Sequence, residues 1–367
     1  MSLKIFSFFS GSGFLDLGFE LNGFSIVLVN EFSPSFLHAY QYSRAQMRLS
    51  VPEYGYSRTD AGEYLSVRAA ELRNYVEDAR RDGSLVGFIG GPPCPDFSIA
   101  GKQRGKDGRN GRLSLTYAQI IIAQKPDFFL YENVKGLWKT AKHRAFYEEL
   151  KTMLGGAGFY LTERLSNAME FGAPQDRDRI LLFGMNKDLF PVRPDNPLDS
   201  FPWEAHILHP LSGIKEIKWP RRTAFAEDSV IQCPEDVLRE LTVQYWFERN
   251  RVEDHPNGED CFVPRSGIEK MRSVEEGDDS RKSYKRLHRW RYSPTVAYGN
   301  NEVHLHPYKA RRLTVAEALA LQSLPREFSL PPDLSLTDKF KTTGNGVPFM
   351  LASGTARTIS DYMRGRN

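Results

Sequence analysis

Two rhythms of apolar and polar positions run through the first half of the chain. Residues 3–9, 25–29, 85–89 and 127–131 are short, nearly continuous apolar runs. Runs of this length, closed by Gly, Pro, Asn or Asp, predict buried strands. Residues 14–22, 36–48, 63–81, 113–123 and 143–154 instead place apolar side chains three and four positions apart, which predicts helices with one buried face. Two more β-like segments follow at 160–167 and 180–184. Strands separated by helices imply an α/β fold with a mostly parallel sheet. Ligands of such sheets bind beyond the carboxyl ends of the strands. Asn30-Glu31, Pro92-Pro93-Cys94 and Glu132-Asn133 fall at such ends.

The rhythm fades after Asp188. Residues 188–310 are rich in Pro, Trp, His, Arg and Asp. Helical spacing returns at 315–322 and 348–363. Two units are expected: 1–187 plus 338–367, and a less regular unit at 188–337.

Composition narrows the class. With 367 residues, 40% hydrophobic and 26% charged, the chain is an ordinary globular one, long enough for a large core. Cys94, Cys233 and Cys261 are too scattered for a disulfide framework. No secretory leader is read and no apolar run approaches the roughly 18 residues of a membrane span, so a reducing cytoplasmic setting is expected. The net charge of +3 says little about partners, but its distribution says more. Lys102, Arg104, Lys106, Arg109 and Arg112 alternate with glycines. Residues 281–312 interleave Arg281, Lys282, Lys285, Arg286, Arg289, Arg291, Lys309, Arg311 and Arg312 with aromatic side chains against one acid, Glu302. Such stretches attract polyanions, or are simply solvated loops.

Several residues could carry chemistry. Phe9-Ser10-Gly11-Ser12-Gly13 joins a strand to a helix, as a ligand loop or a plain structural turn does. It is not a GxGxxG fingerprint, because Phe14 and Asp16 occupy the stretch of the third glycine. Glu31, ending the next strand, stands where a ribose diol would be held, or is a solvated acid. Cys94, after Gly90-Gly91-Pro92-Pro93, is either a nucleophile at the sheet edge or an inert core thiol. Glu132, in a low-dielectric cleft, would have a raised pKa and act as an acid; otherwise it is a loop carboxylate. Gln175, Arg177 and Arg179 are spaced two apart, so on an extended segment the arginines share a side. They suit an anion or a base edge, or form surface ion pairs. Gly344-Asn345-Gly346-Val347-Pro348 is a glycine-rich turn before a helix. His304 and His306 have no CxxC or HExxH partner, so no metal is expected.

The order of these blocks, with Arg312-Leu313-Thr314 between the last two, resembles the DNA (cytosine-5) methyltransferases of prokaryotic type. The resemblance covers nearly the whole chain except about 188–305, the place of that family's variable target-recognition region. It implies a Rossmann-like S-adenosylmethionine-dependent methyltransferase domain with a smaller, irregular target-recognition domain. Phe9, Ser10, Gly11, Ser12 and Gly13 would line the cofactor pocket, with Glu31 at the ribose and Phe32 against the adenine. Asp60 would meet the adenine amino group, and Pro93, Leu113, Asn345 and Val347 would complete the pocket. Cys94 would be the nucleophile, Glu132 the group at cytosine N3, and Arg177 and Arg179 the contacts to the flipped base. Ser98, Lys102, Arg104, Arg109, Arg112, Arg286, Arg289 and Arg291 would meet DNA.

The implied cofactor is S-adenosyl-L-methionine, with S-adenosyl-L-homocysteine as product. The implied partners are double-stranded DNA and a companion restriction endonuclease, with the enzyme acting as a monomer. Four positions depart from the pattern: Ser7 where Asp is common, Phe14 for a glycine, Pro95 for Gln, and Phe340 for Tyr. The competing readings are an RNA cytosine-5 methyltransferase of the same architecture, a catalytically silent nucleic-acid-binding relative, and an NAD oxidoreductase, which the missing third glycine disfavours.

Overall fold

The structure is a computed structural model that describes residues 2–93, 109–189, 195–264, 266–280, 283–296, 298 and 302–365, for Arg109 and Asn110 the backbone alone. Seven strands form one sheet: β1 (Leu3–Phe8), β2 (Ser25–Asn30), β3 (Tyr56–Ser57), β4 (Leu85–Gly90), β5 (Phe128–Val134), β6 (Phe159–Asn167) and β7 (Asp178–Asn186). Their order is β3-β2-β1-β4-β5-β7-β6. The first five run parallel, while β7 is antiparallel to both β5 and β6. This is the doubly wound order 3-2-1-4-5-6 with one reversed strand inserted before the last. The order reverses between β1 and β4, which opens the ligand crevice there.

The helices cover both faces. α1 (Phe14–Glu20) and α2 (Pro34–Gln46) pack on one, α3 (Ala69–Arg80), α4 (Arg109–Gln124), α5 (Gly136–Lys139) and α6 (Ala141–Gly156) on the other. The strands alternate buried aromatic and aliphatic residues into the two apolar clusters. Two expectations shift. The helix expected over 63–81 is split into a 3-10 turn, Ala61–Leu65, and α3, because Ser66 takes a non-helical backbone (φ −136, ψ −105). The strand expected to stop at 131 runs on to Val134, because β7 continues to pair with it: Glu132 lies opposite Leu181 and Val134 opposite Arg179.

The later chain adds α7 (Leu211–Glu216), α8 (Val243–Asn250), α9 (Ile268–Arg272), α10 (Val315–Leu321), α11 (Leu336–Asn345) and α12 (Phe349–Arg364). α12 returns to the first face, where α1 approaches it so closely that a Cβ on Gly18 would lie 2.6 Å from Ala352 Cβ. The two expected units are not cleanly separate. Phe201 packs 4.8 Å from both Phe183 and Tyr362 on the sheet unit. Conversely, Phe14, Leu17 and Ala39 share a cluster with Trp246, Leu319 and Phe328.

His304 and His306 are interior residues. Burial pulls each pKa down to about 3; Lys285 adds to this for His304, while Glu317 partly opposes it for His306. The His306 Nδ1 accepts from the Lys309 amide at 3.1 Å, and its Nε2 lies 3.5 Å from Glu317 Oε1.

Two expected outcomes follow from this packing. Gly18→Ala should destabilise the fold by about 1–3 kcal/mol, because the neighbours are backbone and Cβ atoms that cannot swing away; chemical denaturation measures it. Unfolded histidine takes up its proton near pH 6.5, whereas folded His304 and His306 resist it until about pH 3. Stability is therefore complete above pH 6.5 and falls as the pH drops, by about 2 kcal/mol per histidine at pH 5. Denaturation at pH 7.5 and 5.0 should show this loss, and His304→Phe should remove its share.

Candidate active site

The crevice is built first by the turn after β1. Phe9 (φ 54), Gly11 (φ 56) and Gly13 (φ 78) all take the left-handed conformation. This turns the chain sharply into α1. The Gly11 amide donates to Glu31 Oε2 at 2.8 Å, and the Ser33 amide to Glu31 Oε1 at 2.7 Å. Each carboxylate oxygen keeps a second lone pair. Burial raises the Glu31 pKa, and the two amides draw it partly back. Phe32, beside it, is 59% exposed. Asn30 Nδ2 donates to the Thr59 carbonyl at 2.8 Å, which brings Asp60 to the same edge. Asp60 Oδ1 accepts from the Gly62 amide at 2.8 Å.

These groups fit a nucleoside. The Ser10 hydroxyl is buried with no hydrogen-bond partner among the described residues. Among the described residues a Cβ on Gly11 would meet nothing within 4 Å. A carboxylate and an exposed aromatic ring stand beside the space over Gly11 at a strand end, as a ribose-bearing cofactor requires.

Phe14, where a third glycine was expected, is buried and packs edge-on at 5.1 Å from Phe328. A Cβ on Gly346 would overlap its ring. Ser12 Oγ hydrogen-bonds Thr342 Oγ1. The α11–α12 turn is thus seated on the loop, with Val347 buried and Asn345 exposed. On the other side Phe9 meets Tyr117 of α4 edge-on at 6.1 Å. Leu113, half-buried, lies one turn earlier on that helix, and Arg112 beside it is exposed.

The second part of the crevice lies between β4 and β5. Glu132 is buried, and Arg179 Nε sits 2.7 Å from its Oε1. Burial raises the Glu132 pKa above the usual carboxylate range, while Arg179 and Arg177 oppose the shift. A Cβ on Gly91 would come 2.5 Å from Glu132 Oε2, so the bracket after β4 lies flush against the carboxylate. Asn133 Nδ2 donates to Tyr131 Oη at 2.8 Å and toward the Pro92 carbonyl at 3.4 Å. Pro93 is exposed beyond that tie. Cys94, Pro95, Ser98, Lys102 and Arg104 lie outside the described residues, as does the Arg109 side chain.

Arg177 is held differently from what its spacing suggested. Its Nη1 donates to the Val296 carbonyl at 2.6 Å and its Nη2 to the Gly344 carbonyl at 2.8 Å, while its buried Nε has no hydrogen-bond partner among the described residues. Gln175, fully buried, donates to the Leu321 carbonyl at 3.0 Å and accepts from the Val296 amide at 3.1 Å.

The arginines expected at a DNA surface require correction. Arg286 is wholly buried. It donates to the carbonyls of Val274 (2.8 Å), Met271 (2.6 Å), Lys309 (3.0 Å) and His306, with its guanidinium 3.9 Å from the Phe225 ring centroid. Arg289 is buried in a two-pronged pair with Glu276, both bonds 2.8 Å. In this structure both brace the interior of the second unit and face no groove. Arg291 is partly exposed, with Nη2 3.3 Å from Asp279 Oδ2.

Sequence reasoning did not single out every residue that shapes the crevice. Gly91, Asn133 and Thr342 shape the crevice alongside its charged groups. Gly91 and Asn133 sit directly beside residues already singled out, which was the available signal. Thr342 carried none.

A doubly wound sheet with a carboxylate-lined turn at one strand end and a buried acid–guanidinium pair at the next is a Rossmann-like architecture. The chain belongs to the C-5 cytosine-specific DNA methylase family, whose model matches residues 3–361. It is 54% identical to the type II methyltransferase M.NmeDI of Neisseria meningitidis serogroup C, over 98% of this chain and 84% of that one. It is 27% identical to the type II methyltransferase M.NgoPII of Neisseria gonorrhoeae, over 97% and 95%. Among solved structures, S. pombe Dnmt2 methyltransferase superposes with a TM-score of 0.61 at 13% identity, covering 100% of both chains. Entamoeba histolytica methyltransferase EhMeth gives 0.60 at 14%, covering 99% of both. These two likenesses establish the shared fold.

Gly91→Ala should push the Glu132 carboxylate off its seat. A displacement near 1 Å costs roughly a hundredfold in rate, so kcat for methyl transfer should fall by about that factor with little change in Tm. Steady-state kinetics and thermal unfolding check both halves.

Proposed function

We propose that this enzyme methylates C5 of a cytosine within a specific duplex DNA sequence, through a covalent bond between Cys94 and C6 of the base. The carrying observation is the buried Glu132 carboxylate, paired with Arg179 and flush against the Gly91 bracket that leads directly to Cys94. Cytosine C5 is a poor nucleophile. Addition of the Cys94 thiolate to C6 places electron density on C5. Glu132, its pKa raised by burial, holds a proton toward N3 and stabilises the density that develops there. Arg179 keeps that carboxyl in place, and Arg177 fixes the strand from which Arg179 projects.

The Phe9–Gly13 turn and the Glu31 carboxylate would hold S-adenosylmethionine, which would supply the methyl group to C5 and leave as S-adenosylhomocysteine. Loss of the C5 proton and departure of the Cys94 sulfur then restore the aromatic ring. C6 is inaccessible in stacked DNA, so the target base is flipped out at a cost of a few kcal/mol. Phosphate contacts along the glycine-rich basic segment after Cys94 and from Arg112 and Arg291 offset that cost.

The type II names of its relatives support a restriction-modification setting; in this reading a companion endonuclease acts on the same site and the enzyme acts on DNA as a monomer. Among the described residues no helix is long and apolar enough to cross a membrane, which is consistent with a cytoplasmic enzyme.

Methyl-tritiated S-adenosylmethionine offered to mixed genomic DNA and to total tRNA tests the reading. Label should enter DNA with wild type and vanish with Cys94→Ser, which should still bind DNA. Bisulfite sequencing of the product should then show one modified sequence context. Label in tRNA alone, or near-normal transfer by Cys94→Ser, overturns the reading.

A further inference from the structure

We propose that Arg44 is a positioning residue for the cofactor-binding turn, acting from within the protein on the carbonyl of Gly13. The proposal rests on the reading of that turn as the S-adenosylmethionine site. Arg44 projects from the last turn of α2 and is almost wholly buried. Its Nη2 donates to the Gly13 carbonyl at 2.7 Å and its Nε to Glu20 Oε2 at 2.8 Å. The guanidinium lies 4.1 Å from the Tyr40 ring centroid. Tyr40 in turn donates to Asp16 Oδ2 at 3.0 Å, and Ser7 to Asp16 Oδ1 at 2.9 Å. A buried network therefore links β1, α1 and α2 beneath the turn.

Gly13 depends on this network. It is left-handed and begins α1 with no side-chain cap of its own. A Cβ there would overlap the Tyr40 ring and come 2.7 Å from Arg44 Nη2. The same helix governs the other half of the cradle, because Ser33, at the N-cap of α2, holds Glu31 through its amide. Residues at the two ends of one rigid helix thus set where the glycine turn stands relative to the Glu31 carboxylate. Arg44 suits this role through its planar fork, which reaches two acceptors in fixed directions; a lysine ammonium retains the charge but cannot hold both. Arg44 also faces two carboxylates, the buried Asp16 and the partly buried Glu20, so a neutral replacement would strand them. Lysine is therefore the informative substitution.

Titration calorimetry of the full chain with S-adenosylhomocysteine tests the proposal. Arg44→Lys should weaken binding about tenfold, leaving the Kd for duplex DNA and kcat at saturating cofactor within twofold of wild type. Ser7→Ala, which loosens Asp16 without removing a charge, should shift binding the same way by about threefold, and it carries the test if Arg44→Lys fails to fold. Leu150→Ala, in α6 on the opposite face of the sheet, lowers Tm without touching the network and should keep wild-type affinity. Unchanged affinity in the folded Arg44→Lys or Ser7→Ala protein, or an equal loss in Leu150→Ala, overturns the role. Failure of wild type to bind S-adenosylhomocysteine at all would instead reject the reading of the turn itself.

Discussion

Three distant stretches of chain close on the buried guanidinium of Arg177. One arm of its fork holds the carbonyl of Val296, in the irregular unit, and the other the carbonyl of Gly344, just before the α11–α12 turn. Gln175 reinforces the junction by bonding Val296 and Leu321, and Gln322 Nε2 extends it to the Thr343 carbonyl. A cation out of water is costly unless its donors are used, and a carbonyl deprived of its partner at this depth is costly as well. The junction therefore resists partial opening. Its position matters because the same short segment leads into β7 and Arg179. The acid–guanidinium pair, the wall carrying Val347 and the docking of the irregular unit consequently share one geometric reference.

Around that reference, buried charge is used in two different ways. Glu132 sits beside two guanidiniums, yet burial outweighs them and its pKa rises. A carboxyl so poised can keep a proton where a surface acid would have lost it. In the irregular unit, by contrast, arginines replace regular secondary structure. Arg286 collects carbonyls from residues 271, 274, 306 and 309. Arg311 grips Glu317 at 2.7 and 2.8 Å where α10 starts. Backbone groups that a ladder would have paired are satisfied by guanidinium forks instead.

This explains how far the sequence could be read. β1, β2, β4, α1 and α2 were legible because each buries one continuous stripe or a short apolar run, and periodicity reports burial directly. The site blocks were legible for a related reason: they fall at strand ends, where glycine, proline and lone acids interrupt an apolar run. The irregular unit was much less legible. A run of arginines reads as a solvated or DNA-facing surface when its partners are unknown. The partner of Arg289, Glu276, lies thirteen residues away and carries no periodic mark. The roles of Asp16 and Arg44 were not legible, because a single acid on a short helix does not announce that Tyr40 and Ser7 will bind it.

The glycine replaced by Phe14 shows why a departure from a familiar pattern can leave a site intact. A glycine at such a turn provides room, either for a ligand against the backbone or for one element against another. In this chain the second kind of room is provided at Gly346. Phe14 fills the space between α1 and the α11–α12 turn and gains an edge-on contact with Phe328, while Gly346, opposite, now has to be the residue without a side chain. The first kind of room is untouched, because Gly11 still faces open space beside Glu31. The requirement for close approach is a property of the pair of surfaces and not of one position, so it can be met from either side.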